Sequence, residues 1–296
     1  MAVSNLTLIP LNLSLPSPGF KVQTTSVLFT PSEAPTMSNL PMNITYVSSP
    51  TPNSPPFLIG KTLTQNQVCG APIKYIRENI DDLASGVIIN NKISNVATLR
   101  GDDNCRRVVE KVKSTFSIDH VIPASTGVIG WDLPVSEMEG AIESLPPSPP
   151  CTPLSFASSI MTTDRWPKLH TVPLGSCSTM FGTAKGAGMI EPNMGTMLCY
   201  VLTDAKPPRG ALQGITERVA ERTFNCVSVD GDESTSDMFV VLCNPEGEAV
   251  GEEEFEGKLG EVCEVLAKGI VRNGEGTGHV IRVEVRNYPG SDQEAR

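Results

Sequence analysis

Ala184-Lys-Gly-Ala-Gly-Met-Ile-Glu-Pro-Asn-Met-Gly-Thr-Met-Leu198 is the stretch on which the reading of this chain turns. Glycine marks turns, and short hydroxyl side chains satisfy backbone groups there, so by itself the stretch reads as a loop. The apolar run from Thr196 to Thr203 then reads as a strand leaving that loop. Three other stretches share the same enrichment in glycine and hydroxyls. They are Ala124-Ser-Thr-Gly-Val-Ile-Gly130, Ile160-Met-Thr-Thr-Asp164 and Val271-Arg-Asn-Gly-Glu-Gly-Thr277. Each carries the same plain reading as a turn.

Around these loops the periodicity predicts an α+β chain. Ser85-Gly-Val-Ile-Ile-Asn reads as a buried strand, and Asp103 to Phe116 as a helix with Val108, Val109, Val112 and Phe116 on its apolar face. Val135 to Leu145 reads as a second helix capped by Ser136, and Pro146 to Pro153 as a linker too rich in proline for helix or central strand. Beyond the loop at Pro207-Pro-Arg-Gly, Leu212 to Phe224 reads as helix and Met238 to Cys243 as strand. Phe255 to Ile270 follows as helix, and Val280 to Val285 alternates like a half-buried strand.

Residues 1–60 are different in kind. They hold 10 of the 25 prolines, 9 serines and 7 threonines, with Lys21 and Glu33 as their only charges. No helix period is visible, which predicts an extended or flexible segment. Few acids and many hydroxyls fit an organelle transit peptide, but the arginines expected of one are missing. Three glycosylation-pattern triplets, at Asn5, Asn12 and Asn43, are unsurprising in a stretch so rich in Asn, Ser and Thr.

Composition removes several function classes. The net charge is −10, which opposes non-specific nucleic-acid binding. Eight cysteines occur without a Cys-x-x-Cys pair, so zinc and dithiol redox sites are disfavoured and free thiols are expected. No apolar run approaches the ~18 residues of a membrane span. The three histidines, His120, His170 and His279, show no triad or metal spacing. Any hydroxyl nucleophile therefore needs another source of activation.

Together, the four loops resemble the ornithine acetyltransferase family, also called glutamate N-acetyltransferase. The order and spacing agree, and Thr64-Gln-Asn-Gln-Val-Cys-Gly-Ala-Pro-Ile73 and Ser228-Val-Asp-Gly-Asp-Glu-Ser-Thr-Ser-Asp237 extend the match. The resemblance covers roughly residues 61 to 296. It implies a layered αββα sandwich, similar in logic to the N-terminal nucleophile hydrolases. It also implies a precursor cut between Gly195 and Thr196, giving an α-chain portion at 61–195 and an incomplete β-chain portion at 196–296.

The chemistry implied is acetyl transfer in arginine biosynthesis. Thr196 would take acetyl from N-acetylornithine and pass it to glutamate. Cutting frees the Thr196 α-amine, whose reference pKa of about 7.7–8.0 suits a general base. By resemblance, Thr126 and Gly127 form the oxyanion hole, Thr162 and Lys185 contact substrate, and Glu275 meets the substrate ammonium. No cofactor or metal is implied, and acetyl-CoA is open as a second acetyl donor. The family assembles as a heterotetramer of two α and two β chains. It is mitochondrial in fungi and cytoplasmic in bacteria, so a mitochondrial matrix enzyme is the expectation, with the cytoplasm as alternative.

Some positions depart from the family pattern. Asn90-Asn-Lys-Ile-Ser-Asn95 replaces an asparagine-rich stretch, Glu233 and Ser236 replace a threonine and an asparagine, and glycine rather than alanine precedes Thr196. The family's C-terminal segment, with its contacts to the substrate carboxylate, has no counterpart here. That predicts weak turnover and a tendency to associate. Two other readings stay open: an impaired relative acting as a binding subunit, and an aminopeptidase-like hydrolase of the same fold.

Overall fold

A computed structural model of the chain describes residue 15 and residues 19–51, 53–145, 151–191 and 197–290. Two sheets carry the architecture. The first takes β1 (Lys21–Phe29), β2 (Leu40–Ser48), β5 (Gly86–Asn90) and β6 (Val121–Ser125) in the order β1-β2-β5-β6. The second takes β3 (Phe57–Leu63), β4 (Leu83–Ala84), β7 (Lys168–Leu174), β8 (Ser178–Lys185), β9 (Leu198–Lys206) and β10 (Met238–Ala249) in the order β4-β3-β10-β9-β8-β7. Both sheets are mixed: only β5 with β6 and β9 with β10 run parallel.

Alternation along each strand sorts the side chains into three apolar layers. Val87 and Ile89 of β5 face Tyr200 and Leu202 of β9 and Val240 and Leu242 of β10, closing the space between the sheets. Ile88 points the other way, toward Val109 and Val112 of α2 (Gly101–Phe116) and Met138 and Ile142 of α3 (Val135–Glu143). On the far side, Cys199, Val201, Phe239 and Val241 meet Ile215 and Val219 of α5 (Leu212–Arg222) and Leu259, Val262 and Leu266 of α6 (Glu252–Arg272). The result is helix, sheet, sheet, helix: the αββα sandwich expected. Two shorter helices, α1 (Ala71–Asn79) and α4 (Pro153–Ser159), add Ile73, Ile76 and Phe156 to the layer between the sheets.

Local signals explain several boundaries. Thr152 caps α4 by accepting the Ser155 N–H at 3.1 Å, with Pro153 in the first turn, where a missing N–H costs nothing. Glu252, Glu253 and Glu254 begin α6, where the helix dipole favours negative charge. Arg218 and Arg222 reach Glu256 and join α5 to α6.

The structure differs from the sequence reading at several places. Residues 21–29 and 40–48 are not a flexible segment but fully paired strands, with Val22, Met42, Ile44 and Val47 buried. Their alternation is diluted by Thr, Ser, Asn and Pro, which hid the pattern. Ser136 does not cap α3: the helix begins at Val135 after Pro134 with no side-chain cap, and it ends at Glu143. The α5 helix stops at Arg222, followed by a 3-10 turn at Phe224–Cys226. Strand β10 continues past Cys243 to Ala249 through an irregularity in its pairing with β9. Residues 280–285 form no strand and are exposed, because no described strand lies beside them to complete the pairing. Among the described residues no helix is long and apolar enough to cross a membrane. The expected linker falls partly at 146–150, outside the described residues.

Candidate active site

Among the described residues, Thr126 and Gly127 follow β6, Thr162 follows α4, Lys185 ends β8 and Glu275 follows α6, and a chain of contacts joins them. At the end of β6, the Thr126 N–H donates to the Asn90 carbonyl at 3.1 Å, so that amide is committed. Gly127 follows at φ +129, and a Cβ there would lie 2.1 Å from the Lys92 carbonyl oxygen. Only glycine fits that position. Thr126 is buried and Gly127 exposed, and among the described residues neither the Thr126 hydroxyl nor the Gly127 N–H has a hydrogen-bond partner. Two donors thus lie side by side at a strand end, with no partner among the described residues.

The contacts run onward from there. Asn91, next to Asn90, donates its amide to the Met161 carbonyl at 2.8 Å, which brings the 160–164 loop alongside. The Thr162 N–H donates to Asp164 Oδ2 at 3.1 Å. The other oxygen of Asp164 accepts the Gly186 N–H at 2.8 Å and also pairs with Lys168. Lys168 and Asp164 have side-chain exposures of 3% and 0%, so this is a buried ion pair. Burial alone would raise the Asp164 pKa, but the Lys168 charge and the donated hydrogen bonds hold it below the usual carboxylate value.

Lys185 ends β8 and is buried, not a surface lysine. Burial pushes its ammonium pKa down, opposed by the charges of Asp164, Asp237 and Glu275. Asp237, just before β10, is 2% exposed, and its Oδ2 has no hydrogen-bond partner among the described residues. Burial drives its pKa well above the carboxylate range, against the Lys185 charge and the hydrogen bonds from Met197 N–H and Ser234. It is a carboxyl inclined to hold its proton. Glu275 is exposed; its N–H donates to the Ala187 carbonyl at 2.7 Å, which ties the loop after α6 to the loop after β8. Asn273 in the same loop is wholly buried and accepts the Arg165 N–H at 3.1 Å.

Thr126, Gly127, Thr162, Lys185 and Glu275 therefore belong to one connected edge of the sandwich. Gly195 and Thr196 lie outside the described residues; Met197, next in sequence, is buried at the entry to β9. Sequence reasoning quoted the stretches holding Asp164, Asp230, Asp237 and Asn273 but gave those four no role. Lys168 carried no signal at all, because its importance comes from pairing with Asp164 inside the fold. None of the three histidines donates or accepts a side-chain hydrogen bond in this cluster among the described residues. The same residues include no group of three or more His, Cys, Asp or Glu that could hold a metal ion.

Comparison with known proteins completes the picture. The ArgJ family profile matches residues 49–296. The arginine biosynthesis bifunctional protein ArgJ of Thermotoga neapolitana is 39% identical over 242 residues, covering 76% of this chain and 61% of that protein. The protein of the same name from Halalkalibacterium halodurans is 40% identical over 248 residues, covering 78% of this chain and 60% of that one. The chain thus spans about three-fifths of the length of these curated relatives. In architecture it is similar to the L-aminopeptidase D-Ala-esterase/amidase of Ochrobactrum anthropi, described as a variant of the Ntn-hydrolase fold. The TM-score is 0.52 at 13% identity, over 88% of this chain and 86% of that one, a likeness of fold alone. A family match that runs through all of these loops, with relatives about 40% identical over three-quarters of the chain, makes this chain a member of the ArgJ family.

Proposed function

We propose that this chain is a self-cleaving acetyltransferase that moves acetyl from N-acetylornithine to glutamate through an acetylated Thr196. The observation that carries the reading is the Thr126–Gly127 turn. It offers a hydroxyl and an N–H that have no hydrogen-bond partner among the described residues, and it is joined through Asn91 and Met161 to the edge that holds Lys185 and Glu275.

In the proposed cleavage, the Thr196 hydroxyl attacks the Gly195 carbonyl and displaces the Thr196 nitrogen, which leaves as the amine. Water then hydrolyses the resulting ester. The freed α-amine, with a reference pKa of about 7.7–8.0, takes the hydroxyl proton in each later turnover. Attack on the acetyl carbonyl of N-acetylornithine builds an oxyanion facing the Thr126 hydroxyl and Gly127 N–H. Its collapse expels ornithine with the proton and leaves acetyl on Thr196. The glutamate amine reverses these steps and departs as N-acetylglutamate. Preorganised donors of this kind are worth roughly 10²–10³ in rate each.

Glu275 suits the substrate ammonium, because an exposed carboxylate forms a charge-assisted hydrogen bond there. Lys185 and Thr162 would contact the rest of the substrate. This chemistry uses no cofactor, and acetyl-CoA would enter only as a substrate loading the same hydroxyl. Assembly of two α and two β chains and a mitochondrial matrix location belong to the same proposal and rest on the family resemblance.

Intact mass on purified protein tests the core of it. Fragments 1–195 and 196–296 should appear, and Thr196→Ala should stay whole. A wild type that stays whole after prolonged incubation sinks the reading. Cleavage followed by release of free acetate or of an amine from aminoacyl amides, with no transfer to glutamate, would favour the hydrolase alternative.

A further inference from the structure

Residues 229–238 grip the chain on both sides of positions 192–196, and they do so in the same way each time. Upstream, the Val229 N–H donates to the Ile190 carbonyl at 2.7 Å. Next to it, the two oxygens of the Asp230 carboxylate accept the Met189 and Ile190 N–H groups, each at 2.7 Å. Downstream, the Met238 N–H donates to the Met197 carbonyl at 2.9 Å, and next to it the Asp237 carboxyl accepts the Met197 N–H. One backbone bond and one aspartate hold each flank. Neither aspartate takes part in the proposed acetyl transfer.

The upstream grip works on a backbone that would not hold its shape unaided. Met189 sits at φ +54, a left-handed conformation that non-glycine residues seldom adopt. It occurs where surrounding contacts over-determine the backbone, and Asp230 supplies two of those contacts. The downstream grip is buried, with Asp237 2% exposed and anchored in turn by its own carbonyl, which accepts the Thr64 N–H at 3.0 Å.

We propose that residues 229–238 form a splint for self-cleavage, with Asp230 and Asp237 as positioning residues that fix the chain on either side of the Gly195–Thr196 bond. The proposal rests on the self-cleavage reading above and adds the part that sets its geometry. Attack of a side chain on the carbonyl of its own preceding residue depends on alignment, and a misplacement of about 1 Å can cost roughly 10²-fold. Fixing both flanks to a single short stretch sets the positions of Ile190 and Met197 relative to each other. The two aspartates differ in what they must supply. Asp230 needs both oxygens, so asparagine replaces it only in part. For the Met197 N–H, Asp237 needs one acceptor, which asparagine keeps.

The test pairs a rate with a local structural readout. Fragment formation is followed by intact mass in Asp230→Ala, Asp230→Asn, Asp237→Ala and Asp237→Asn. In parallel, amide exchange at Met189 and Met197 is read by NMR on 15N-methionine-labelled protein carrying Thr196→Ala, so that every sample is whole. Met42 and Met180, both fully buried, report global opening. We expect D230A and D237A to cut about 10²-fold more slowly, D230N to fall between, and D237N to stay within a few-fold of wild type. Exchange should rise at least tenfold at Met189 in D230A and at Met197 in D237A, with Met42 and Met180 unchanged. A folded D230A that cuts at the wild-type rate, or unchanged exchange at Met189, overturns the proposal. So does D237N cutting as slowly as D237A while Met197 stays protected, since Asp237 would then act through its proton. If wild type never cuts, the self-cleavage reading fails, and the exchange data alone decide whether 229–238 holds both flanks.

Discussion

The Glu275 carboxylate lies against Gly188, so close that a Cβ on Gly188 would sit 2.6 Å from Oε2. The Glu275 backbone is fixed one residue away, where its N–H meets the Ala187 carbonyl at 2.7 Å. A glycine in one of the quoted loops therefore makes room for an acidic side chain from another, 87 residues later in the chain (275 − 188).

Gly188→Ala should move that carboxylate without unfolding the protein, because the obstructed atoms are the end of a flexible side chain. Under the proposed function, the KM for N-acetylornithine should rise about tenfold, the cost of roughly 1.4 kcal/mol of lost binding, with kcat little changed. Steady-state kinetics beside Glu275→Gln check this. A KM equal to wild type would show that Glu275 does not need its present position.

The Asp164–Lys168 pair should be a stability determinant as well as a loop anchor. Asp164→Asn leaves a buried ammonium without its counter-charge, which typically costs about 3–5 kcal/mol. Asp164→Asn combined with Lys168→Met removes both charges and should recover most of the loss. Urea denaturation of the two variants measures both. Equal destabilisation in single and double variants would mean that the Gly186 and Thr162 hydrogen bonds, not the ion pair, matter most.

Acid sensitivity should trace partly to Glu248. Its carboxylate collects the Ser176 hydroxyl and N–H, the Cys177 N–H and the Ser178 hydroxyl at the β7–β8 turn. Those bonds lower its pKa from 4.5 to about 2. A carboxylate whose folded pKa is depressed contributes stability above its unfolded value and loses it as pH falls through the folded one. Wild type should therefore lose Tm more steeply than Glu248→Gln between about pH 4.5 and 2. Parallel Tm curves for the two proteins across that window would exclude Glu248 as a source of the acid loss.

Strong periodicity was read correctly where burial is one-sided or complete. The α2 helix, the β5 strand and the apolar core of β10 follow their patterns within a few residues, because continuous or regularly spaced apolar side chains have few alternative partners. The N-terminal strands were missed because Thr24, Thr25, Asn43 and Thr45 occupy them as freely as apolar residues do. Thr45 is nonetheless buried, satisfied by a 2.7 Å bond with Ser159, a partner 114 positions away. The 280–285 stretch failed the other way: its alternation is genuine, but it pairs with no strand among the described residues.

Sequence alone determined the family, the αββα architecture and the set of glycine- and hydroxyl-rich turns, because these depend on which residues occur and in what order. It placed Thr126, Gly127, Thr162, Lys185 and Glu275 in those loops through resemblance. Only the tertiary structure decided what surrounds them: the buried Asp164–Lys168 pair, the three acidic side chains whose charges act on Lys185, and the grip of Asp230 and Asp237 on either side of 192–196. Each of these depends on distance and burial between groups far apart in the chain. A charge becomes a partner, and burial raises an aspartate's pKa, only when folding removes water from around it.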